Sequence, residues 1–145
     1  MKVVLQRVLS GSVSVDGVVT GSIGAGYVLL VGIAAGDDEP TVRRLAADVA
    51  KARLMSDPQG RMGVNLKDAG ADALAVSQFT LLADFSKGNR PSFNGAARPE
   101  VARPLFELFV TELTALLGRP VPTGVFGADM RVEIVNDGPV TVVLE

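Results

Sequence analysis

A two-residue turn near the start of the chain constrains the fold more than any other feature. Asp16-Gly17 lies between the strand-like runs SVSV and VVTGSI, and Asp-Gly is favoured where a type I′ turn joins two antiparallel strands. The sequence therefore predicts that the first two strands form a β-hairpin. The run GYVLLVGIA follows, and because it is short and rich in β-branched residues we expect a buried third strand.

The next segment has the spacing of an amphipathic helix. Asp37 and Asp38 are candidates for its N-cap, and Pro40 stands in the first turn. Apolar residues then recur at i, i+3, i+4 and i+7, which predicts one buried face and one solvated face. The residues of the predicted buried face are Val42, Leu45, Ala46 and Val49.

A second helix is predicted from about Glu100 to Leu117, with Gly118 as its stop. Pro104 cannot donate a main-chain hydrogen bond, so either the regular helix begins later or its first turns kink. The residues expected to face inward are Leu105, Leu108, Phe109, Leu113, Leu116 and Leu117.

The rest of the chain reads mainly as strands and one long loop. Strand-like segments lie near Met62–Leu66, over Leu74–Leu82 and over Met130–Leu144, whereas Ser86–Pro99 has no apolar period and is rich in glycine, proline and asparagine. Strands outnumber helices, and hairpins link several of them. We therefore predict one α+β domain over residues 1–145, with a mainly antiparallel, barrel-like sheet and two packed helices.

The composition excludes several kinds of active site. The chain has no histidine and no cysteine, which rules out Ser-His-Asp and Cys-His machinery and removes the commonest zinc ligand. We expect a site without a metal ion or a cofactor. If the protein is a hydrolase, its proton transfers need a source other than histidine.

Hydropathy and charge set expectations about partners. A mean hydropathy of +0.34 is high for a small protein with 21% charged residues, so we expect a homodimer that buries the surplus apolar surface. The net charge of −2 argues against bulk capture of nucleic acid. A local basic patch nevertheless exists, because SKGNRPSFNGAARP contains Lys87, Arg90 and Arg98 and no acidic residue.

No segment predicts membrane insertion or export. The longest apolar run, YVLLVGIAA, is much shorter than a membrane-spanning helix, and Gln6 and Arg7 interrupt the N-terminus too early for a signal peptide. We therefore expect a cytoplasmic protein with no membrane partner.

The motif SQFTL is the first candidate for chemistry. In a strand, Gln78 and Thr80 would share one face, so an amide and a hydroxyl could border a pocket. The alternative is an ordinary strand with one solvated face. A threonine hydroxyl without an adjacent base is a poor nucleophile, so we expect Thr80 to donate or orient.

Gly138-Pro139 interrupts the last predicted strand, where a sheet should tolerate neither residue. One interpretation is a trans turn between two strands. The other is functional, because Gly138 has no Cβ and lets another molecule approach its main chain closely, while Pro139 restricts the direction of the neighbouring carbonyls.

In their order along the chain, LQRV, VDG, IGAGYVLLVG, SQFTL, KGNRPSF, TGVFGADM and VNDGPVT resemble the D-aminoacyl-tRNA deacylases, a family of chiral proofreading enzymes. The resemblance spans nearly the whole chain. It implies hydrolysis of the ester that joins a D-amino acid to the 3′-terminal adenosine of tRNA. It also implies a homodimer with active sites at the subunit interface, in which a Gly-cis-Pro pair enters the partner's pocket and excludes L-amino acids.

The resemblance also assigns roles to single residues. It implies that Ser77, Gln78, Phe79 and Thr80 line the reaction centre, where strand N–H groups could stabilise an oxyanion. The Gly-cis-Pro pair would exclude L-amino acids through a clash with their side chain. Glycine has no side chain to clash, so we expect some cleavage of glycyl-tRNA. A ribose hydroxyl beside the ester could assist the reaction, which would suit a chain without histidine.

Further positions match family residues outside the reaction centre. Arg7 would hold the orientation of Gly138-Pro139, or it is a surface strand charge. Phe126 and Met130 would surround the terminal adenosine, although Phe126 could equally belong to the core. Lys87 and Arg90 would face tRNA phosphates, or they lie on a solvated loop. Two rival functions remain: a tRNA-end binding module without catalysis, and a purely structural dimer.

Overall fold

The computed structural model describes all 145 residues. The strands are β1 Lys2–Val15, β2 Val18–Ile23, β3 Gly26–Gly32, β4 Met55–Ser56, β5 Met62–Val64, β6 Asp72–Ser77 and β7 Arg131–Leu144. The helices are α1 Glu39–Lys51, the single-turn α2 Leu66–Ala69 and α3 Pro99–Leu117, and Phe79–Leu82 forms a short 3₁₀ helix. None of the helices is both long enough and apolar enough to cross a membrane.

The main sheet is built around β1, which pairs antiparallel with β2, β3 and β7. β3 covers the first half of one edge of β1 and β2 the second half, while β7 runs along the other edge. β6 extends the sheet by pairing in parallel with β3. The sheet curls into a half-barrel, so the predicted α+β class with a mainly antiparallel, barrel-like sheet is confirmed.

The predicted hairpin between β1 and β2 is confirmed. Asp16 has a φ of 50° and Gly17 a φ of 79°, as a type I′ turn requires at its two central positions. Asp16 is the one residue other than glycine in the chain with a positive φ.

Helix α1 matches its prediction. Its four predicted inward residues are all buried, and Asp38 is the N-cap, accepting from the Thr41 amide at 3.0 Å. Asp37, the other candidate, instead accepts from the Ala34 amide and the terminal amino group of Met1, each at 2.7 Å.

Helix α3 differs from its prediction at the start and on one face. It begins at Pro99 and runs through Pro104 without a delayed start, because Pro99 suits the first helical position and Pro104 is exposed, where water can solvate the freed carbonyl. The stop at Gly118 is confirmed, with a left-handed φ of 71°. Leu116 was predicted to face inward but is 41% exposed, and Leu105 and Leu108 are half-buried. The buried stripe is Ala102, Phe106, Phe109, Leu113 and Leu117.

Two predicted strands are shorter than expected. β5 ends at Val64, and Leu66 opens α2 after the N-cap Asn65, so a third, short helix accompanies the two packed ones. β6 ends at Ser77, and the predicted continuation of this strand to Leu82 is wrong because the chain turns into the 3₁₀ helix.

The core lies mainly between one face of the sheet and the helices α1 and α3. Val3 and Leu5 of β1 and Tyr27 and Leu29 of β3 face these helices and are fully buried. A smaller apolar cluster occupies the other face of the sheet and includes Val8, Val13, Ile23, Val28, Leu74 and Val76.

Candidate functional site

Gly138-Pro139 lies in a bulge of β7. Gln6 of β1 pairs with Thr141 and Val8 with Asn136, so the four residues Asp137–Val140 stand opposite Arg7 alone. The extra residues leave the ladder, which explains how a strand accommodates this pair. The Gly138-Pro139 peptide bond is cis, and both residues are exposed.

Only glycine suits position 138. Its φ is 131°, a value that side-chain-bearing residues rarely adopt, and a Cβ there would lie 2.8 Å from the main-chain nitrogen of Val140. The bulge therefore presents bare main chain at the surface of the molecule.

Arg7 anchors the bulge from within the protein. It is 9% exposed, which contradicts the alternative of a surface strand charge. Its Nε donates to the Asp137 carbonyl oxygen at 3.2 Å and lies 3.3 Å from Asp137 Oδ2. Its Nη1 donates to the Leu54 carbonyl oxygen at 2.8 Å. One guanidinium thus joins the residue before Gly138 to the connection between α1 and β4.

The SQFTL segment marks the end of β6 and the start of the 3₁₀ helix. Because Phe79–Leu82 is not a strand, the predicted shared strand face of Gln78 and Thr80 is wrong. The two side chains meet nevertheless, since Gln78 Nε2 donates to Thr80 Oγ1. The Thr80 hydroxyl accepts this bond, so its own proton is free for another partner.

The turn into a 3₁₀ helix also changes which N–H groups are available. Phe79 and Thr80 open the helix, and the first amides of a helix have no acceptor within it. The predicted strand N–H groups are therefore replaced by the amides of Phe79 and Thr80, which have no acceptor within the short helix.

The exposed Phe79 of this segment contacts a half-buried aromatic residue of the following loop. Phe79 is 57% exposed, and its ring meets that of Phe93 edge to face, with 5.0 Å between ring centres. Phe93 belongs to the basic loop Ser86–Arg98, so this contact brings the loop beside SQFTL. Sequence reasoning missed Phe93, because a single aromatic residue in a loop has no periodic signal.

Lys87 and Arg90 are exposed on the same loop, and neither forms an ion pair within the chain. Asp84 and Ser92 close the base of the loop through two main-chain hydrogen bonds of 2.8 Å. Hydrogen bonds from Ser86 lower the pKa of the Asp84 carboxyl, which favours the charged form. The loop thus holds two unpaired cations above a closed base.

Phe126 and Met130 lie near α3 and the smaller apolar cluster, shortly after Thr123, which pairs with Ala75 of β6. Phe126 is half-buried and packs beside Phe106, with 6.2 Å between ring centres. The Arg103 guanidinium lies 5.2 Å from the centre of the Phe126 ring. These residues border a groove of about 340 Å³ between α3 and residues 123–126. Met130 packs against the smaller cluster.

Phe126 therefore both packs against the core and lines a groove, so the two interpretations of this residue are compatible. Sequence reasoning missed Arg103, which carries no signal of its own within α3. Arg103 lies three residues before the buried Phe106, and this spacing could have placed it near the pair of rings formed by Phe106 and Phe126.

The two motifs lie at opposite edges of the sheet. The strand order β7, β1, β3, β6 places three strand spacings, about 14 Å, between the bulge and the strand that leads into SQFTL. The motifs also differ in height, because the bulge stands beside Arg7, whereas Ser77 pairs with Val31, which pairs with Val3. Along the sheet the two motifs are therefore separated in both directions.

Comparisons with known proteins agree with this architecture. The family model described as D-Tyr-tRNA(Tyr) deacylase matches residues 4–145. Proteins called D-aminoacyl-tRNA deacylase from Dechloromonas aromatica and Thermomicrobium roseum are 53% and 55% identical to this chain. Both matches cover 100% of this chain, and 97% and 94% of the relatives.

Two solved structures share the fold. A c-Myc DNA unwinding element binding protein has a TM-score of 0.93 and 36% identity, over 100% of this chain and 98% of its own. A probable eukaryotic D-amino acid tRNA deacylase has a TM-score of 0.84 and 17% identity, over 99% and 97%. At that identity the second likeness speaks for the fold alone.

Proposed function

Because the chain belongs to the D-Tyr-tRNA(Tyr) deacylase family, we propose that it hydrolyses the ester bond of D-aminoacyl-tRNA. Water adds to the ester carbonyl, the bond to the ribose oxygen breaks, and a free D-amino acid and tRNA are released. The observation that carries this proposal is the exposed main chain at Gly138-Pro139, held from below by the buried Arg7.

The bare backbone of the bulge suits selection by exclusion. Main-chain carbonyls of the bulge can hold the ammonium group of the amino acid. A wall of main chain beside the ammonium group then leaves no room for a side chain of L configuration. Glycine has no side chain to clash with the wall, so the same filter admits glycyl-tRNA. Some deacylation of glycyl-tRNA is therefore part of the proposal.

The separation of the two motifs supports a homodimer with active sites at its interface. In a pair of chains, the bulge of one can reach the SQFTL segment of the other. A suitable apolar surface lies on the sheet face opposite α1 and α3, where Val4 pairs with Leu30 on one side and Val143 on the other. Val143 is 53% exposed, and the other two are half-buried.

The reaction centre is assigned to Ser77, Gln78, Phe79 and Thr80. The amides of Phe79 and Thr80 stabilise the oxyanion of the tetrahedral intermediate, and the Thr80 hydroxyl, bonded by Gln78, orients the substrate. No histidine is present to act as the base, so the ribose hydroxyl beside the ester assists the attack. A substrate ending in 2′-deoxyadenosine should then react much more slowly.

Contacts to the tRNA extend beyond the ester. Lys87 and Arg90 offer unpaired charges to the phosphates of the acceptor end, and Phe126 and Met130 border the terminal adenosine. These contacts are local, which is compatible with an overall charge of −2. Translation supplies such a substrate in the cytoplasm, where we place the protein.

One experiment separates the proposed function from its rivals. The protein is mixed with D-tyrosyl-tRNA and L-tyrosyl-tRNA, and release of the amino acid is followed over time. Faster release from the D-substrate supports the deacylase. Protection of the ester without release identifies a tRNA-end binding module, and no effect on either substrate identifies a structural protein.

A further inference from the structure

The phenol of Tyr27 holds the connection between α1 and β4. Tyr27 is fully buried, and its hydroxyl donates to the Ala52 carbonyl oxygen at 3.1 Å and accepts from the Leu54 amide at 3.1 Å. A single hydroxyl therefore bridges two main-chain groups that are two residues apart. This bridge holds the Arg53–Leu54 peptide, which directly precedes the Leu54 carbonyl.

The Leu54 carbonyl is also the acceptor that anchors Arg7, at 2.8 Å from Nη1. The same guanidinium donates from Nε to the carbonyl oxygen of Asp137, at 3.2 Å. A displacement of Leu54 would therefore be transmitted through Arg7 to the main chain immediately before Gly138. No other hydrogen bond from a side chain reaches Asp137.

Tyr27 and Arg7 are direct neighbours as well. They pair across β3 and β1, and their side chains share one face of the sheet. Burial raises the pKa of the Tyr27 phenol above its usual value, although the positive charge of Arg7 opposes the shift. The phenol thus keeps its proton near neutral pH and can donate and accept at the same time.

We propose that Tyr27 is a positioning residue for chirality selection, acting through Leu54 and Arg7 on the main chain at Gly138. The inference rests on the proposed function, which makes the bulge the filter. A phenylalanine at position 27 would fill the same space but leave the Leu54 amide without its partner, so Arg7 would lose a fixed anchor.

The test compares the chain with its Tyr27→Phe variant on D-tyrosyl-tRNA and L-tyrosyl-tRNA. Losing the order supplied by one buried hydrogen bond should lower the D-to-L ratio of kcat/KM about three- to tenfold. The loss should appear as a higher KM for the D-substrate with kcat nearly unchanged, because the bulge holds the ammonium group and not the ester.

A matched control separates positioning from stability. Leu113→Val reduces packing in α3 at a fully buried position whose side chain takes no part in the hydrogen bonds that link Tyr27, Leu54, Arg7 and Asp137. This variant should lower the melting temperature and keep the D-to-L ratio of the unaltered protein. An equal loss of ratio in both variants would show that Tyr27 acts through stability alone and would overturn the inference.

A double-mutant cycle tests the route through Arg7. In an Arg7→Met background, Tyr27→Phe should have no further effect on the D-to-L ratio, because its target is gone. Arg7→Lys replaces Arg7→Met if the latter does not fold. Independent, additive effects would overturn the route.

Two outcomes distinguish this inference from the proposed function. An unaltered protein that releases both enantiomers equally would end the proposed function. An unaltered protein that discriminates, together with a Tyr27→Phe variant of unchanged ratio, would end only the inference.

Discussion

The bulge at Gly138-Pro139 and the SQFTL segment differ in how the protein holds them. The bulge has a buried guanidinium beneath it, which is bonded on two sides. The SQFTL segment leaves β6 as an exposed 3₁₀ helix, and its one side-chain hydrogen bond is internal, from Gln78 to Thr80. In the proposed function the bulge is a filter, which needs a fixed position, whereas the SQFTL segment is a reaction centre that a second chain completes. Both motifs are thus exposed, but only the bulge is anchored by a buried side chain.

The largest effect is expected from Gly138→Ala, which disturbs the bulge anchored by Arg7. The added Cβ would lie 2.8 Å from the Val140 nitrogen, so the bulge must move. We expect kcat/KM for D-tyrosyl-tRNA to fall about 10- to 100-fold. The control is Gly17→Ala, which also has a positive φ but meets nothing within 4 Å. Similar losses of activity in the two variants would show that backbone strain alone is responsible.

Thr80→Ala tests the role of the SQFTL segment. It removes the acceptor of the Gln78 amide but leaves the main-chain N–H groups at the helix start, so kcat for D-tyrosyl-tRNA should fall about tenfold, without loss of tRNA binding. Single-turnover kinetics and a filter-binding assay measure the two quantities. Complete loss of cleavage with binding intact would instead favour Thr80 as the nucleophile.

The pH dependence of stability should report on Tyr27, which holds the connection that anchors Arg7. Tyr27 is the one tyrosine of the chain, so no other phenol contributes. Its pKa is raised by burial, so the folded protein holds the phenolic proton more tightly than the unfolded chain. Its contribution to stability is complete below pH of about 10 and is lost as the pH rises through the raised value. The free energy of unfolding should therefore fall by up to about 1.4 kcal/mol per pH unit from this group alone.

Urea unfolding between pH 9 and 11.5 measures this slope. Tyr27→Phe should have a shallower dependence over that range, which separates the contribution of Tyr27 from that of the lysines. Equal slopes for the two proteins would contradict the assignment.

The smallest effect is expected from the basic loop. Lys87→Ala and Arg90→Ala should each raise KM for D-tyrosyl-tRNA about threefold and reduce its salt dependence by about 0.7 in log–log slope, the value for one phosphate of a single strand. Arg44→Ala is the control, because Arg44 is already paired with Asp48 on α1. No difference between loop and control variants would identify the loop as solvated surface.

Local pattern was sufficient for much of this fold. The hairpin at Asp16-Gly17, the buried stripe of α1 and the stop of α3 at Gly118 each depend on residues within a few positions of one another. Backbone conformation and periodicity carry such information directly. The family resemblance likewise depended on motifs in order, and the comparisons confirm it.

Prediction failed where a long-range contact overrode a local preference. The residues after Ser77 read as strand, but β6 has no partner beyond the end of β3, and the chain turns there. Leu116 fits a helical period, yet the stripe that faces the sheet passes beside it. In both cases the position of a neighbouring element decided the outcome.

By itself, the sequence determined which chemistry is absent and which main chain must stay bare. A chain without histidine or cysteine cannot build the common hydrolytic triads, and position 138 can supply uncovered main chain because glycine has no Cβ. Only the tertiary structure decided that Arg7 is buried beneath the bulge and that the two motifs lie at opposite edges of the sheet. Burial and separation arise from strand pairing between distant parts of the chain, such as Gln6 with Thr141 and Val31 with Ser77, which no local pattern encodes.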